Sequence, residues 1–467
     1  MNKLLCYELN EVPWRVVDHY IQRRPNSSLG SLLSRSAQFT TNCNDHGELH
    51  PWSTWPTLHR GVSNEVHKIH FLNQDLESAN GWPPVWDILT KNGITTGIFG
   101  SLQSYPPVTS DNMLFHIPDT FAAGPETIPD RFEAFQAFNL KQTGENKAQA
   151  SAVNVGDISL ALGLLKAGIK PTTYAKVAKH LISEKFNSLF KTRRALLQPE
   201  LAFDAFLRCL KEEQPQFVTF FSNHVAGIMH RYWKYAFPED FDHTIGDDTT
   251  DQFHAASLMN AMDIFETQLG KLVSFANKNG YQILVMSSMG QEAIDRGEYV
   301  DELKLNDIDK LAESLGCTYP LKQNLAMQPD IAFEFETIED LHDCRKRLEN
   351  VTDTDGKRII EQRYAEVGKT LNMVLCSSKA LIKDQVVSVA GTHDSLENIG
   401  LGLMNRDQGT AYHQPEGILI WEGFKSNQES RTKIDSRQVL PTVLKHFGLQ
   451  REGYMQSAIE TNGVIAA

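Results

Sequence analysis

Several things are scarce in this sequence, and each scarcity removes a class of protein. The six cysteines, Cys6, Cys43, Cys209, Cys317, Cys344 and Cys376, lie far apart with no CxxC pair. That spacing excludes a zinc ribbon and argues for scattered reduced thiols over a disulfide framework. No stretch approaches the ~18 uncharged apolar residues of a membrane helix. The apolar run at the N-terminus, Leu4 to Leu9, is broken by Glu8 and is too short for a signal-peptide core. The expected location is therefore cytoplasmic. Positive charge is also in deficit, with 45 Lys+Arg against 58 Asp+Glu and a formal net charge of −13. A broad nucleic-acid surface needs the opposite balance, so nucleic acid is not an expected partner. There are no repeats, heptads or low-complexity linkers.

What is present is alternation. Leu4–Leu9 reads as a buried strand, followed by a helix from Glu11 to Arg23 and a Ser/His/Trp/Pro-rich loop from Ser27 to about Pro56. Trp86–Lys91 has helical spacing and stops at Asn92-Gly93, and Thr95–Phe99 follows as a strand. Further along come a helix at Phe203–Glu213, a strand at Phe217–Phe221, a helix at Phe253–Asn277, a strand at Gln282–Ser287, the strand Ile418–Trp421 and a closing helix Val439–Phe447. This pattern predicts an α/β fold with a mostly parallel central sheet and helices on both faces. Residues 105–200, with SLALGLLKAG and a basic helix up to Arg194, read as a mainly helical insertion. Residues 301–390 read as a small α+β insertion. The core is then 1–300 and 391–467.

In such a sheet, ligands gather beyond the carboxyl ends of the strands. Those ends carry Glu8-Leu9-Asn10, Ser222-Asn223-His224 and Ser288-Met289-Gly290, and His413 leads into the last apolar strand. Glu8 and Asn10, two apart, share a strand face. Glu8 inside an apolar strand demands a partner, and Arg60 is one structural candidate. His46, His50 and His59 crowd one polar region, and the tryptophans Trp52, Trp55, Trp82 and Trp86 read as packing residues. The basic face Lys185, Lys191, Arg193 and Arg194 reads as a solvated surface.

The order of motifs resembles the alkaline phosphatase superfamily, above all its type I phosphodiesterase/nucleotide pyrophosphatase-like branch. LLCYELNEV is similar to that family's first strand, HPWSTWPTLHRGVSNEVHKI to its nucleophile segment, and GWPPVWDILTKNGITTGIFG to its P-x-x-W-D-x-L unit. FVTFFSNHVAGIMHRYW, ILVMSSMG, AYHQPEGILIWEGF and QVLPTVLKHFGL resemble later segments in the same order. The resemblance implies Thr54 as nucleophile, His230 and His413 as metal ligands, and Asn10 where the family has its first Asp. It also exposes departures. Ser288-Met289 stand in place of Asp-His, and Ala226 stands four residues before His230 unless Asn223 takes that role. A two-metal centre without carboxylates would leave its charge uncompensated. The expectation is therefore one divalent metal, Zn or Mn, on His230 and His413 with Glu8, Asn10 and Asn223. His224 would add a third imidazole and Asp407 another oxygen. The helix after Thr54 would aim its N-terminal amides at the substrate's anionic oxygens. His393, in GTHDS, competes for a histidine role. The implied activity is hydrolysis or transfer of a small anionic phosphate or sulfate ester. The alternatives are a non-catalytic relative that keeps the cleft for binding or assembly, and a metal-free enzyme using Glu8 and a histidine as acid and base.

Overall fold

A computed structural model describes residues 2–460 apart from 73, 145–165, 242–243, 295–300, 325, 327–329, 378–379, 383, 390, 405–408 and 427–428. Asp407 and most of the SLALGLLKAG segment lie outside the described residues. Six strands, β1 (Leu4–Leu9), β2 (Ser36–Asn42), β3 (Thr96–Phe99), β4 (Met113–Ile117), β5 (Phe217–Ser222) and β6 (Gln282–Met286), join Glu416–Glu422 and Thr432–Asp435 in one sheet. Its order is Thr432–Asp435, β2, Glu416–Glu422, β6, β1, β5, β3, β4. Neighbours run parallel except at Glu416–Glu422, which is antiparallel to both β2 and β6. The mostly parallel α/β architecture read from the sequence is the one observed.

The central strands are apolar on both faces because helices cover both, as parallel sheets require. Every residue of β1 is buried. Leu4 and Cys6 join a core with Trp55 and Leu58 of helix Pro51–Arg60, Trp86 and Leu89 of helix Val85–Lys91, and Leu440 and Leu444 of helix Val439–His446. Tyr7 points to the opposite face, edge-on to Phe220 and to Phe265 of helix Ser257–Asn279, with ring centroids 5.3 and 5.0 Å away. Phe203 and Phe206 of helix Gln198–Glu213 complete that layer around Phe220.

Four local expectations change. The Ser27–Pro56 loop contains helix Ser28–Leu33, strand β2 and the first turns of helix Pro51–Arg60. Ser27 caps the first of these by accepting from the Gly30 amide. The β2 strand lies near one margin of the sheet, so its Ser, Gln and Thr residues disguise it. The helix expected from Glu11 begins at Trp14, because Glu11 is in the left-handed region at φ 59° and Pro13 occupies the cap. The helix expected at Phe253–Asn277 is two, Thr249–Ala255 and Ser257–Asn279. The basic helix ends at Phe186, where Asn187 caps a run of 3-10 turns over Ser188–Leu196.

The chain divides into two compact units, one of Met1–Leu140, Asn154–Ile294 and Gly409–Ala467, the other of Lys141–Val153 and Asp295–Gln408. The second is an α+β unit. Its antiparallel sheet runs Leu401–Leu403, Asp301–Leu305, Thr370–Ser377, Asp330–Glu334, Lys322–Asn324, with Ile360–Val367 also on Thr370–Ser377. Helices Ile308–Leu315 and Ile338–Leu348 supply Leu311, Leu341 and Leu348 to its own core. His393 is exposed on strand Thr392–Ser395 of this unit. Among the described residues no helix is long and apolar enough to cross a membrane.

Candidate functional site

The site grows out of the end of β1. The Asn10 amide bonds the Ser222 carbonyl at the end of β5, at 3.1 Å, and Ser287 beyond β6 donates to the Leu9 carbonyl and accepts from the Val12 amide. Anchored on both sides, the chain turns sharply and holds Glu11 at positive φ, a conformation that non-glycine residues keep only where surroundings over-determine it. The turn swings the Glu11 side chain toward helix His224–Ala236 and strand Ala411–Gln414.

Two histidines meet it there. His230, in the second turn of helix His224–Ala236, places Nε2 3.0 Å from Glu11 Oε2. His413, on strand Ala411–Gln414, places Nε2 3.5 Å from the same oxygen. That strand pairs with Gly290–Ala293, and His413 lies directly opposite Gln291. Glu11, His230 and His413 thus bring three donor atoms within 4.8 Å of one another, the one such group among the described residues.

Both oxygens of Glu11 are held by amides. Asn10 Nδ2 donates to Oε1 at 2.8 Å, and Gln291 Nε2 donates to Oε2 and also to the Ala226 carbonyl. Asn10 is fixed in turn, accepting from Trp55 Nε1 at 2.8 Å and donating to Asn223 Oδ1 at 2.7 Å. Burial works to raise the Glu11 pKa, but the two histidines outweigh it and hold the carboxyl well below the usual range. Burial works to lower the His413 pKa, and the Glu11 charge outweighs it and raises it.

The tautomer of His230 bears on what the triad can hold. Its Nδ1 lies 3.0 Å from the Ala411 carbonyl, an acceptor, so Nδ1 carries a proton and donates it. The lone pair of Nε2 then faces a carboxylate oxygen, a contact that needs a proton or a metal cation between the two. A carbonyl on the far imidazole nitrogen is the usual support of a ligating histidine. Two imidazoles and a carboxylate are a recurrent three-ligand set for zinc and other divalent ions. The residues fit one such ion.

The other expected residues lie as follows. Asn10 and Asn223 border the triad and act on it through hydrogen bonds. Glu8 faces the other way, onto helix Pro51–Arg60, where Oε1 lies 2.7 Å from His59 Nε2, both residues buried. Its partner is His59 and not Arg60, which donates instead to the carbonyls of Ala79 and Trp82. His224 is consumed by Ser222 Oγ at 2.8 Å on Nδ1 and the Ala261 carbonyl at 3.0 Å on Nε2, and burial pushes it down to about 4. Thr54 has 0% exposure, and its Oγ1 is 2.8 Å from Ser288 Oγ. Its helix starts one turn earlier than expected, at Pro51, so the Thr54 amide is already bonded to the His50 carbonyl at 2.9 Å. The expected N-terminal amide cradle at Thr54 is therefore absent. His50, at the cap, stacks on Trp52 with centroids 4.4 Å apart and stands 5.7 Å edge-on from the His413 ring.

Sequence reasoning missed Glu11 and Gln291. Strand alternation extends Glu8 to Asn10 but cannot register a positive φ one residue later. The signal available was Asn10-Glu11 immediately ahead of Val12-Pro13, a carboxylate between a strand end and a helix start.

No protein-family model and no curated protein matches the chain. Among solved structures, it is similar to the wild-type alkaline phosphatase PafA over 98% of each chain, with TM-score 0.50 and 12% identity. Human ectonucleotide pyrophosphatase/phosphodiesterase 5 is matched over 99% of this chain and 97% of that one, with TM-score 0.43 and 12% identity. Phosphonoacetate hydrolase from Sinorhizobium meliloti 1021, in complex with phosphonoformate, is matched over 94% of each, with TM-score 0.41 and 12% identity. The chain has the fold of the alkaline phosphatase superfamily.

Proposed function

For a chain with the alkaline phosphatase-superfamily fold and a single donor triad, we propose hydrolysis or transfer of small anionic phosphate or sulfate esters, dependent on one divalent metal. One observation carries this reading: His230 Nε2 and His413 Nε2 converge on the single buried oxygen Glu11 Oε2, at 3.0 and 3.5 Å. Glu11, His230 and His413 would hold the ion, zinc or manganese by their donor chemistry. When bound, the metal supplies Lewis acidity at an ester oxygen and lowers the pKa of a coordinated hydroxyl or water. The protein's own part is to keep that centre rigid. Asn10 and Gln291 lock the Glu11 carboxylate, the Ala411 carbonyl fixes the His230 ring, and partial exposure of His230 leaves a path for a ligand, its side chain being 28% accessible. Thr54 is the hydroxyl assigned to attack, with Asn10 and Trp55 linking its helix to Glu11. A single carboxylate suits a single ion, and Ser288 and Met289 offer no anionic ligand for another.

A second reading has its own observation. Thr54 is fully buried beneath an added helical turn and its hydroxyl is hydrogen-bonded to another hydroxyl, that of Ser288, which favours a metal-binding relative without ester chemistry. Protein purified without chelators should contain one divalent ion and hydrolyse some member of a panel of aryl phosphate, phosphodiester and sulfate esters. Turnover that survives Thr54→Ala removes the nucleophile assignment. Metal uptake without turnover on any ester supports the second reading, and no metal uptake defeats both.

A further inference from the structure

The imidazoles at this site are not limited to the two in the triad. His50 has a residue exposure of 6%, and its Nδ1 is buried with no hydrogen-bond partner among the described residues. A dry, unpaired ring nitrogen costs stability, and this one belongs to a ring 5.7 Å from that of His413 in the donor triad. The Glu48 carboxylate stands 4.0 Å from Nε2, outside hydrogen-bond range, and the His50 side chain makes no capping bond to its own helix. The ring lies nearly parallel to Trp52, at 8°, and Trp52 is itself anchored through Nε1 to the His70 carbonyl at 2.9 Å. The His50 and His413 rings lie nearly perpendicular, with an interplanar angle of 85°. The separation of 5.7 Å is close to the 5.1 Å between His230 and His413, the pair already facing a common carboxylate oxygen. Its nitrogens stand outside the tight donor cluster, so joining it requires the ring to move inward.

We infer that His50 is the third imidazole of the metal centre, closing on the ion held by Glu11, His230 and His413. This rests on the proposed metal-dependent reading and sharpens it. Three neutral imidazoles and one carboxylate make four protein ligands, which fill a tetrahedral ion and leave positions open only on a metal that accepts more. The centre is therefore matched to a five- or six-coordinate ion such as Mn2+, Co2+ or Ni2+ in a catalytic state.

The test uses the full chain stripped of metal and titrated with Mn2+, Zn2+ and Co2+ alone, by calorimetry and by the visible absorption of the Co2+ form. His50→Phe keeps the aromatic stack on Trp52 and removes both nitrogens, and its thermal unfolding without metal checks that the fold persists. The expected result is affinity reduced by about tenfold or more, with altered position and intensity of the Co2+ bands. If the native chain binds an ion and His50→Phe binds it equally with the same spectrum, the assignment of His50 is overturned while the triad stands. If Glu11→Gln and the native chain alike take up no ion, the metal reading fails and His50 falls with it. If His50→Phe is unfolded, His50→Gln, with an amide that fits the same space, carries the same comparison.

Discussion

Two buried glutamates three residues apart, Glu8 and Glu11, each meet histidine, and they do opposite work. Glu8 is on β1 itself, 0% exposed, closed against one imidazole under Trp55 and Trp86. Glu11 lies just past the strand, also buried, yet it meets two imidazoles and one of them reaches solvent. The Glu8 pair is sealed: its remaining polar atoms, Glu8 Oε2 and His59 Nδ1, are dry and face packed side chains. The Glu11 oxygens are positioned by the side-chain amides of Asn10, just past β1, and Gln291, on strand Gly290–Ala293, with the imidazole nitrogens converging from helix His224–Ala236 and strand Ala411–Gln414. A carboxylate beside a histidine is thus no site in itself; convergence from several elements and a path to solvent make one.

The largest effect should come from breaking the sealed pair. His59→Leu leaves the Glu8 carboxyl buried without a partner, which should cost about 3–5 kcal/mol in urea unfolding. Metal uptake by the surviving folded protein should be unchanged. Loss of uptake with intact stability would merge the two regions that the comparison separates. Glu11→Gln should do the reverse. Removing the one carboxylate of the triad should weaken metal binding by more than about a hundredfold, near 2.7 kcal/mol. Unfolding of the metal-free protein should shift far less than for His59→Leu. Calorimetric titration and urea melts on the same preparation check both halves.

The sequence made the framework readable because parallel strands buried on both faces leave continuous apolar runs: LLCYEL, FVTFFS and ILVM stand out without any partner information. Strand β2 was hidden, since a run of Ser, Ala, Gln, Phe and Thr has no such signature and is specified by its pairing with Glu416–Glu422. His230 and His413 were legible from motif order, and the structure brings them together. The carboxylate was not, because the choice between Glu8 and Glu11 depends on a backbone angle fixed by Ser222 and Ser287, more than two hundred residues away in sequence. The helix start before Thr54 was lost for a different reason. Pro51 is as much at home at the first position of a helix as in a loop, and Pro56 looks like a stop although it lies inside.

A smaller effect should appear with pH. In the metal-free protein the Glu11 carboxyl is lowered and His413 is raised. The contribution from Glu11 is present above the ordinary carboxylate value of about 4.3 and is lost as pH falls through its lowered value. That from His413 is present below the ordinary value of about 6.5 and is lost as pH rises through its raised one. Metal-free stability from this cluster should therefore peak between those two ordinary values, while metal affinity climbs as the pH passes above the window and the proton leaves His413. Unfolding midpoints with chelator across about pH 3 to 8, a span that encloses both ordinary values, should show the peak, and Glu11→Gln should flatten it. A native profile as flat as that of the variant would mean the three side chains do not interact.

The smallest expected effect tests a residue that touches both regions. Trp55 has its ring 5.4 Å from His59 on one side and donates from Nε1 to Asn10 on the other, and Asn10 holds Glu11. Trp55→Phe keeps most of the packing over the sealed pair and deletes the hydrogen bond, leaving Asn10 Oδ1 buried without a donor. The loss in stability should be about 1 kcal/mol. Because Asn10 would then be free to turn, Glu11 Oε1 loses its locked donor, and metal affinity should drop by a few-fold, well short of Glu11→Gln. Adding Asn10→Ala separates the two contributions: if Asn10 carries the influence of Trp55, the double variant should bind metal no more weakly than Asn10→Ala alone. Additive losses in affinity would instead mean that the tryptophan acts on the site through packing, and that the sealed region and the open one are mechanically a single unit.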